Sequence, residues 1–249
     1  MTPSHPEEAP LVEIITDPAD LTPAFAILAA AFGTQIHDAI WTGLHPAWDT
    51  PSGAAAGAQR LAQRWRATTR DPSGDPNTLF LKATLPAPSP QDPHHRVTAG
   101  FAIWEQASAV PGRGIAPSPD LGPIPGLQDG DDDRWVRQLF ASLVRQRIAH
   151  VASRARQDPP TVFLLDICAT DPRYQRRGVA GALVRFGLEE ARRRGVPEAT
   201  TEASAMGRHV YARCGFERFG EGEVVYEVDE KFRGRETPSN VFMRAKIAS

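Results

Sequence analysis

The run Leu164-Leu165-Asp166-Ile167-Cys168-Ala169-Thr170-Asp171-Pro172-Arg173-Tyr174-Gln175-Arg176-Arg177-Gly178-Val179-Ala180-Gly181 passes from an apolar strand through a polar turn into a glycine-bearing helix start. Thr161 to Thr170 is almost continuously apolar, as expected of a central strand buried on both faces. The helix that follows is amphipathic from Val179 to Arg194 and stops at Gly195, with Pro197 beyond it. A loop of this kind exposes the unpaired first-turn N–H groups of the helix, with the positive end of its dipole behind them. Phosphate or pyrophosphate suits such a position. Gly178 and Gly181 let a ligand approach the backbone, and Arg176 and Arg177 add positive charge. The residues alone also allow an ordinary strand–turn–helix with surface arginines. Neither G-x-G-x-x-G nor G-x-x-x-x-G-K-[ST] is present, which excludes the dinucleotide and Walker fingerprints.

Working outward, Val12 to Thr16 reads as a short strand, Asp20 to Phe32 as a helix and Ala54 to Thr69 as a second helix. Thr78 to Thr84 and Arg96 to Glu105 read as two strands of a long hairpin. Trp135, Val136, Leu139, Phe140, Leu143, Val144, Ile148 and Val151 mark one face of a long helix ahead of the central strand. After Gly195 come a strand near Thr200, a short helix around Tyr211, and strands over Glu223–Val228 and Val241–Ile247. The pattern is mixed α/β. Two Pro/Gly-rich segments, about 85–95 and 107–133, interrupt it and read as insertions in one domain spanning 1–249. The longer one points to a lid, a binding loop or local disorder.

The 249 residues carry a net charge of −2, so no global field recruits nucleic acid or an anionic membrane. No apolar run reaches the roughly 20 residues needed to span a bilayer. Met1 to Glu8 is polar and acidic, unlike a secretory signal or a transit peptide. The two cysteines, Cys168 and Cys214, are too few for a disulfide framework and too far apart for a metal knuckle. A cytoplasmic protein without a metal site is expected.

Gln175-Arg176-Arg177-Gly178-Val179-Ala180 fits Q/R-x-x-G-x-G/A and resembles the acyl-CoA pyrophosphate loop of the GNAT (Gcn5-related) N-acetyltransferase superfamily. Asp171-Pro172, Tyr174, Glu202-Ala203-Ser204 and Tyr211-Ala212-Arg213-Cys214-Gly215-Phe216 follow in the family's order, from Val162 to about Phe219. The run is similar in particular to fungal small GNAT-type enzymes. The resemblance implies a GNAT fold, a mixed and mostly antiparallel central sheet flanked by helices, with a helical and loop insertion before the central strand. It implies acetyl-CoA as donor and a small-molecule amine as acceptor. A protein or peptide acceptor, or a CoA-binding module without turnover, stands as the alternative. Family members often dimerise, so a homodimer is compatible with the resemblance, although the sequence gives no independent sign of one.

By the resemblance, backbone amides of Gln175 to Gly181 hold the pyrophosphate, with Arg176, Arg177, Gly178, Val179 and Ala180 at the heart of the loop. Ile167, Cys168 and Thr170 fall where the central strand splays and pairs with the pantetheine arm. Cys168 is then a small core residue rather than a nucleophile. Ser204 stands where many members place an asparagine against CoA. Tyr211 occupies the position of the tyrosine that protonates the departing thiolate, a role that a phenol of pKa near 10 can fill.

An amine attacks only when unprotonated, so a base is needed. Glu105, Asp166 and Glu202 are the candidates; each has a bland alternative as a solvated strand end or a hydrogen-bonded structural carboxylate. His37 and His45 belong to the Gly33–Trp48 connection, where an acceptor cleft can lie, and read more simply as structural histidines in a Trp-containing loop. Asp129 and Asp131 to Asp133 have the charge to attract a cationic acceptor. They also fit a solvated helix start with Asp133 as N-cap. Trp41, Trp48, Trp65 and Trp104 are divided between an aromatic pocket and the core, at least two being core.

Overall fold

The computed structural model describes residues 9–87, 95–127 and 130–247. Seven strands form one sheet in the order β1-β2-β3-β4-β5-β7-β6. They are β1 (Leu11–Ile14), β2 (Thr78–Pro86), β3 (Arg96–Ala107), β4 (Val162–Thr170), β5 (Glu198–Ser204), β6 (Glu217–Glu223) and β7 (Asn240–Lys246). The helices are α1 (Leu21–Leu28), α2 (Ala39–Leu44), α3 (Pro51–Arg66), α4 (Asp131–Ser153), α5 (Val179–Arg193) and α6 (Arg208–Arg213). All strand pairs are antiparallel except β4–β5, which is parallel.

Strand alternation sorts the core. In β2, Leu79, Leu81, Ala83 and Leu85 face α5 together with Val179, Leu183 and Val184. Phe80 faces the other way, with Phe101 and Ile103, onto Phe25 and Leu28 of α1 and Leu61 of α3. Both faces are covered, which explains why β2 and β4 read as apolar runs. Trp104 donates its indole N–H to the Leu183 carbonyl at 3.3 Å. A Cβ at Gly187 would sit 2.0 Å from the same ring, so α5 approaches β3 this closely only with glycine there.

Four local readings are corrected. The segment Glu223–Val228 is not a strand: β6 lies earlier, pairing with β7 through Glu217, Arg218 and Glu223 around an irregularity that contains Gly220 and Gly222 at positive φ. After Val224, the amides of Glu227 and Asp229 instead bond Ser142 Oγ and Gln138 Oε1 of α4, both at 3.0 Å. Those donors are thereby removed from any ladder. The Gly33–Trp48 connection is not all loop, because Asp38 caps a short helix, α2, by accepting from Ile40 N and Trp41 N. The first long helix changes character at Ala29 and runs as a π-helical segment through Gln35. Asp133 is not an N-cap; α4 begins after Gly130, and Asp131, Asp132 and Asp133 all occupy its first turn.

Those three aspartates are matched by the protein's own cations: Asp131 by Lys231, Asp132 by Arg235 at 2.8 Å and Asp133 by Arg137 at 2.7 Å. They are not a recruiting patch for a cationic acceptor. Asp129 and the proline-rich heart of the 85–95 segment lie outside the described residues. The longer insertion is packed rather than loose over the residues that are described. Leu121, Ile124 and Leu127 join Ile40 of α2 and Trp135, Val136 and Leu139 of α4 in one apolar cluster with Phe232. No helix is long and apolar enough to cross a membrane among the described residues.

Candidate active site

The parallel pair β4–β5 holds together over Phe163↔Ala199 and Leu164↔Thr200 only. Thr201 Oγ1 donates to the Leu165 carbonyl at 2.9 Å, and beyond that point the two strands diverge. On its other edge β4 stays paired with β3, but the register slips between Ile103↔Ile167 and Trp104↔Leu165. Asp166 is the extra residue of this bulge. Bulges re-aim side chains beside active sites. Here the bulge turns Asp166 into a cavity while Ile167, Cys168 and Thr170 continue along the edge that β5 has left.

Below the divergence, Asp171 caps the turn by accepting from Arg173 N at 2.9 Å. Arg176 and Gly178 then take φ of 66° and 79°, and α5 starts at Val179 with no side chain capping it. A non-glycine residue in the left-handed region is uncommon. The resulting turn leaves the first amides of α5 without helical partners. A cleft of about 470 Å³ lies over them, lined by Thr170, Gln175, Arg176, Gly178, Val179, Ala180 and Gly181 along one wall. Arg185, Arg213, Phe32, Gln35, Met206 and Val210 also line it. Gln175 exchanges side-chain amide bonds with Gln35, at 2.8 and 3.1 Å, tying the loop to the end of the π-helical segment. Uncapped amides, a backbone edge free for pairing and three arginines fit a pyrophosphate and pantetheine ligand. Arg177 is not among the lining residues.

A second cavity, of about 530 Å³, opens on the other side of the divergence. Phe32, Cys168, Ser204 and Tyr211 line both cavities, so the two meet at Tyr211. The second cavity is walled by Phe25, Trp41, His45 and Phe140, and by the insertion from Ile115 to Pro125. Glu105, Asp166 and Glu202 also face it. The structure therefore brings the three candidate carboxylates and Tyr211 into one place.

Two arginines that the sequence reading did not single out organise those carboxylates. Arg64 of α3 bonds Glu105 at 2.8 Å and Asp166 at 2.6 Å. Arg147 of α4 bonds Asp166 at 2.9 Å and grips both oxygens of Glu202. Charges alternate along Glu105–Arg64–Asp166–Arg147–Glu202. Burial pushes the Asp166 carboxyl up, but Arg64 and Arg147 overcome it and hold the group well below the ordinary carboxylate range. Glu105 moves the other way: burial, then the charge of Asp166, raise it despite Arg64. Of these two, Glu105 is the better proton acceptor near neutrality. Its reading as a solvated strand end does not hold, since its side chain is 13% exposed.

Tyr211 is buried at the start of the Y-x-x-x-G-F run, beside the Cys168 thiol. Burial, and then Cys168, raise its pKa well above 10, so the phenol keeps its proton at neutral pH. Burial likewise pushes the Cys168 thiol up to about 12, which leaves it a poor nucleophile. Ser204 accepts from Gly207 N at 3.1 Å and so braces the turn into α6 while lining both cavities. His45 stacks on Trp41 and donates from Nδ1 to the Trp41 carbonyl; burial lowers its pKa to about 4. Trp104 is fully buried in the core, and Trp65 bonds the Ile15 carbonyl, so two of the four tryptophans are structural. Among the described residues no group of His, Cys, Asp and Glu is arranged to hold a metal.

Residues 113–216 match the family model described as Acetyltransferase (GNAT) family. Across the fold the chain is similar to a mutant agmatine N-acetyltransferase in its apo form, with TM-score 0.61, 12% identity, and coverage of 96% of this chain and 100% of that one. Similar too is arylalkylamine N-acetyltransferase 2 from Aedes aegypti, with TM-score 0.56, 17% identity, and coverage of 97% and 100%. A third is the histone acetyltransferase HPA2 and related acetyltransferase from Corynebacterium glutamicum, with TM-score 0.53, 18% identity, and coverage of 97% and 98%. At these identities the likeness shows the fold alone. No curated protein sequence matches. The family that the 113–216 segment matches is one of acyltransferases. The matched segment, residues 113–216, is thus that of the GNAT acetyltransferase family, and the splayed mixed sheet around it has the fold of the acetyltransferases it resembles.

Proposed function

We propose that the protein transfers the acetyl group of acetyl-CoA to the primary amine of a small molecule by direct attack. The observation that carries this reading is the meeting of two cavities at Tyr211, one floored by the uncapped start of α5 and the other walled by the 115–125 segment. A wall packed into the α2–α4 cluster suits a small acceptor better than an extended peptide. The donor supplies an activated acyl carbon held by a thioester. Amides of Val179, Ala180 and Gly181, with Arg176, hold its pyrophosphate. The free edge of β4 at Ile167, Cys168 and Thr170 aligns its arm.

On the acceptor side, Glu105 takes the proton that an ammonium must lose before its nitrogen can attack. Asp166 and Glu202, neutralised by Arg64 and Arg147, fix the geometry and keep Glu105 oriented. As the carbon–nitrogen bond forms and the carbon–sulfur bond breaks, Tyr211 delivers its proton toward the departing sulfur. A cytoplasmic setting belongs to this reading and is supported by two cysteines that are unpaired.

The test is CoA-thiol release from acetyl-CoA across small amines, polyamines and short peptides. Release that depends on small amines is the expected result. Release with peptides alone would transfer the activity to a protein acceptor.

A further inference from the structure

The acidic groups that line the acceptor cavity are all engaged. Asp38 caps α2 through bonds from Ile40 N at 3.0 Å and Trp41 N at 2.9 Å. Glu105 and Asp166 are held by Arg64, and Glu202 by Arg147. Arg60 lines the same cavity one turn before Arg64 on α3, so the two project from the same face of the helix. It makes no ion pair among the described residues, and its Nη2 is buried without a hydrogen-bond partner. Trp41, 7% exposed, lines the same cavity, and its buried indole N–H also lacks an acceptor. Buried donors in native proteins are nearly always satisfied, by protein, water or ligand, so two residues with unsatisfied donors in the lining of one cavity suit a ligand that brings an acceptor. A guanidinium and an indole N–H only donate.

We infer that the acceptor is an amino acid, whose carboxylate seats on Arg60 with the Trp41 indole N–H as a further donor while its amine reaches Glu105 and Tyr211. This inference rests on the small-amine reading of the same site. Arg60 and Arg64 are separated by one helical turn, about 6 Å of rise. The carboxylate end and the proton-accepting end of the cavity are thus divided along α3. One unmatched guanidinium balances one carboxylate; a phosphate dianion would bring more charge than this wall neutralises. Phe25, Leu28, Leu61 and Phe140 line the same cavity with apolar surface, which selects an apolar or aromatic side chain branching from the carbon that carries both charged groups. Arginine suits this task because its planar fork matches a carboxylate.

The experiment compares matched pairs: L-phenylalanine against phenethylamine, and L-leucine against isoamylamine. Wild-type kcat/KM is expected to favour the acid of each pair, and Arg60→Ala to reduce that preference by about tenfold or more, as loss of a charged hydrogen bond requires. Arg60→Lys retains part of it. A wild-type ratio at or below one, or a ratio that Arg60→Ala leaves intact, overturns the inference. If none of these amines is acetylated although acetyl-CoA binds, the small-amine reading fails by itself. Calorimetry with L-phenylalanine then reads the anion subsite directly. Saturable binding lost in Arg60→Ala and in Arg60→Gln supports the subsite, and no binding to wild type removes it. Thermal melting of each variant confirms that it is folded.

Discussion

Arg147 Nη1 donates to Asp166 Oδ1 at 2.9 Å, joining the helix inserted before the central strand to the bulge of that strand. The same guanidinium grips Glu202 of β5, so one side chain from α4 spans the divergence of β4 and β5. Removing one member of a buried charge network leaves the others desolvated and unpaired. Arg147→Ala should therefore lower stability by about 3–5 kcal/mol. Urea denaturation checks this; a loss below about 1 kcal/mol would mean that water re-enters and satisfies both carboxylates.

Gly178 holds φ 79°, and a Cβ there would meet open space. The penalty of a side chain at this position is backbone strain and charge rather than collision. Gly178→Glu should weaken acetyl-CoA binding by at least about tenfold, since it sets a carboxylate among amides that suit a phosphate. Calorimetric titration decides the point. Unchanged affinity would remove the pyrophosphate from the start of α5.

Tyr211→Phe keeps the ring against Phe216 and loses only the hydroxyl. Turnover should fall by about 10²–10⁴, the usual contribution of a positioned acid, with acetyl-CoA affinity little altered. Full activity in this variant would return Tyr211 to a packing role.

Glu105 must be ionised to accept a proton, and its pKa is raised by burial and by Asp166. The rate should accordingly climb with pH through a value above the ordinary carboxylate range and be lost below it. In Glu105→Gln that acidic limb should disappear along with most of the rate. The kcat/KM profile measured between pH 4 and 9 makes the comparison, and an unchanged limb in the variant would assign it to another group.

His45 offers a stability test of opposite character. Burial lowers its folded pKa from 6.5 to about 4, so below pH 6.5 the unfolded chain binds the proton and the folded one does not. Stability should be fully present above pH 6.5 and decline as the pH falls toward 4. The part of that decline due to this ring should vanish in His45→Gln, as denaturation midpoints across the range would reveal.

The central strand and the loop after it were legible because neighbours in sequence determine them: an apolar run, a proline turn, glycines and a long amphipathic helix. The carboxylates and Tyr211 were legible as candidates for the same reason. What joins them was not. The bulge that re-aims Asp166 is a property of the β3–β4 register, which no local pattern states. Arg64 comes from a helix far upstream. Arg147, however, left a trace, since it lies between Val144 and Val151 on the apolar face of α4, three and four residues away; a cation there announces a buried acid. Segment 223–228 misled because Val-Val-Tyr-Glu-Val has strand composition, whereas its amides go to Ser142 and Gln138. Arg60, with no acid beside it, was visible only once the cavity was.

A structure with a bisubstrate analogue, in which an amine is joined through an acetyl bridge to the sulfur of CoA, tests the central claim most directly. The account predicts the pyrophosphate at the amides of Val179, Ala180 and Gly181, the bridging sulfur within hydrogen-bond reach of Tyr211 Oη, and the amine portion under Ile115–Pro125. An amine portion that leaves through solvent instead, or a sulfur remote from Tyr211, would contradict it.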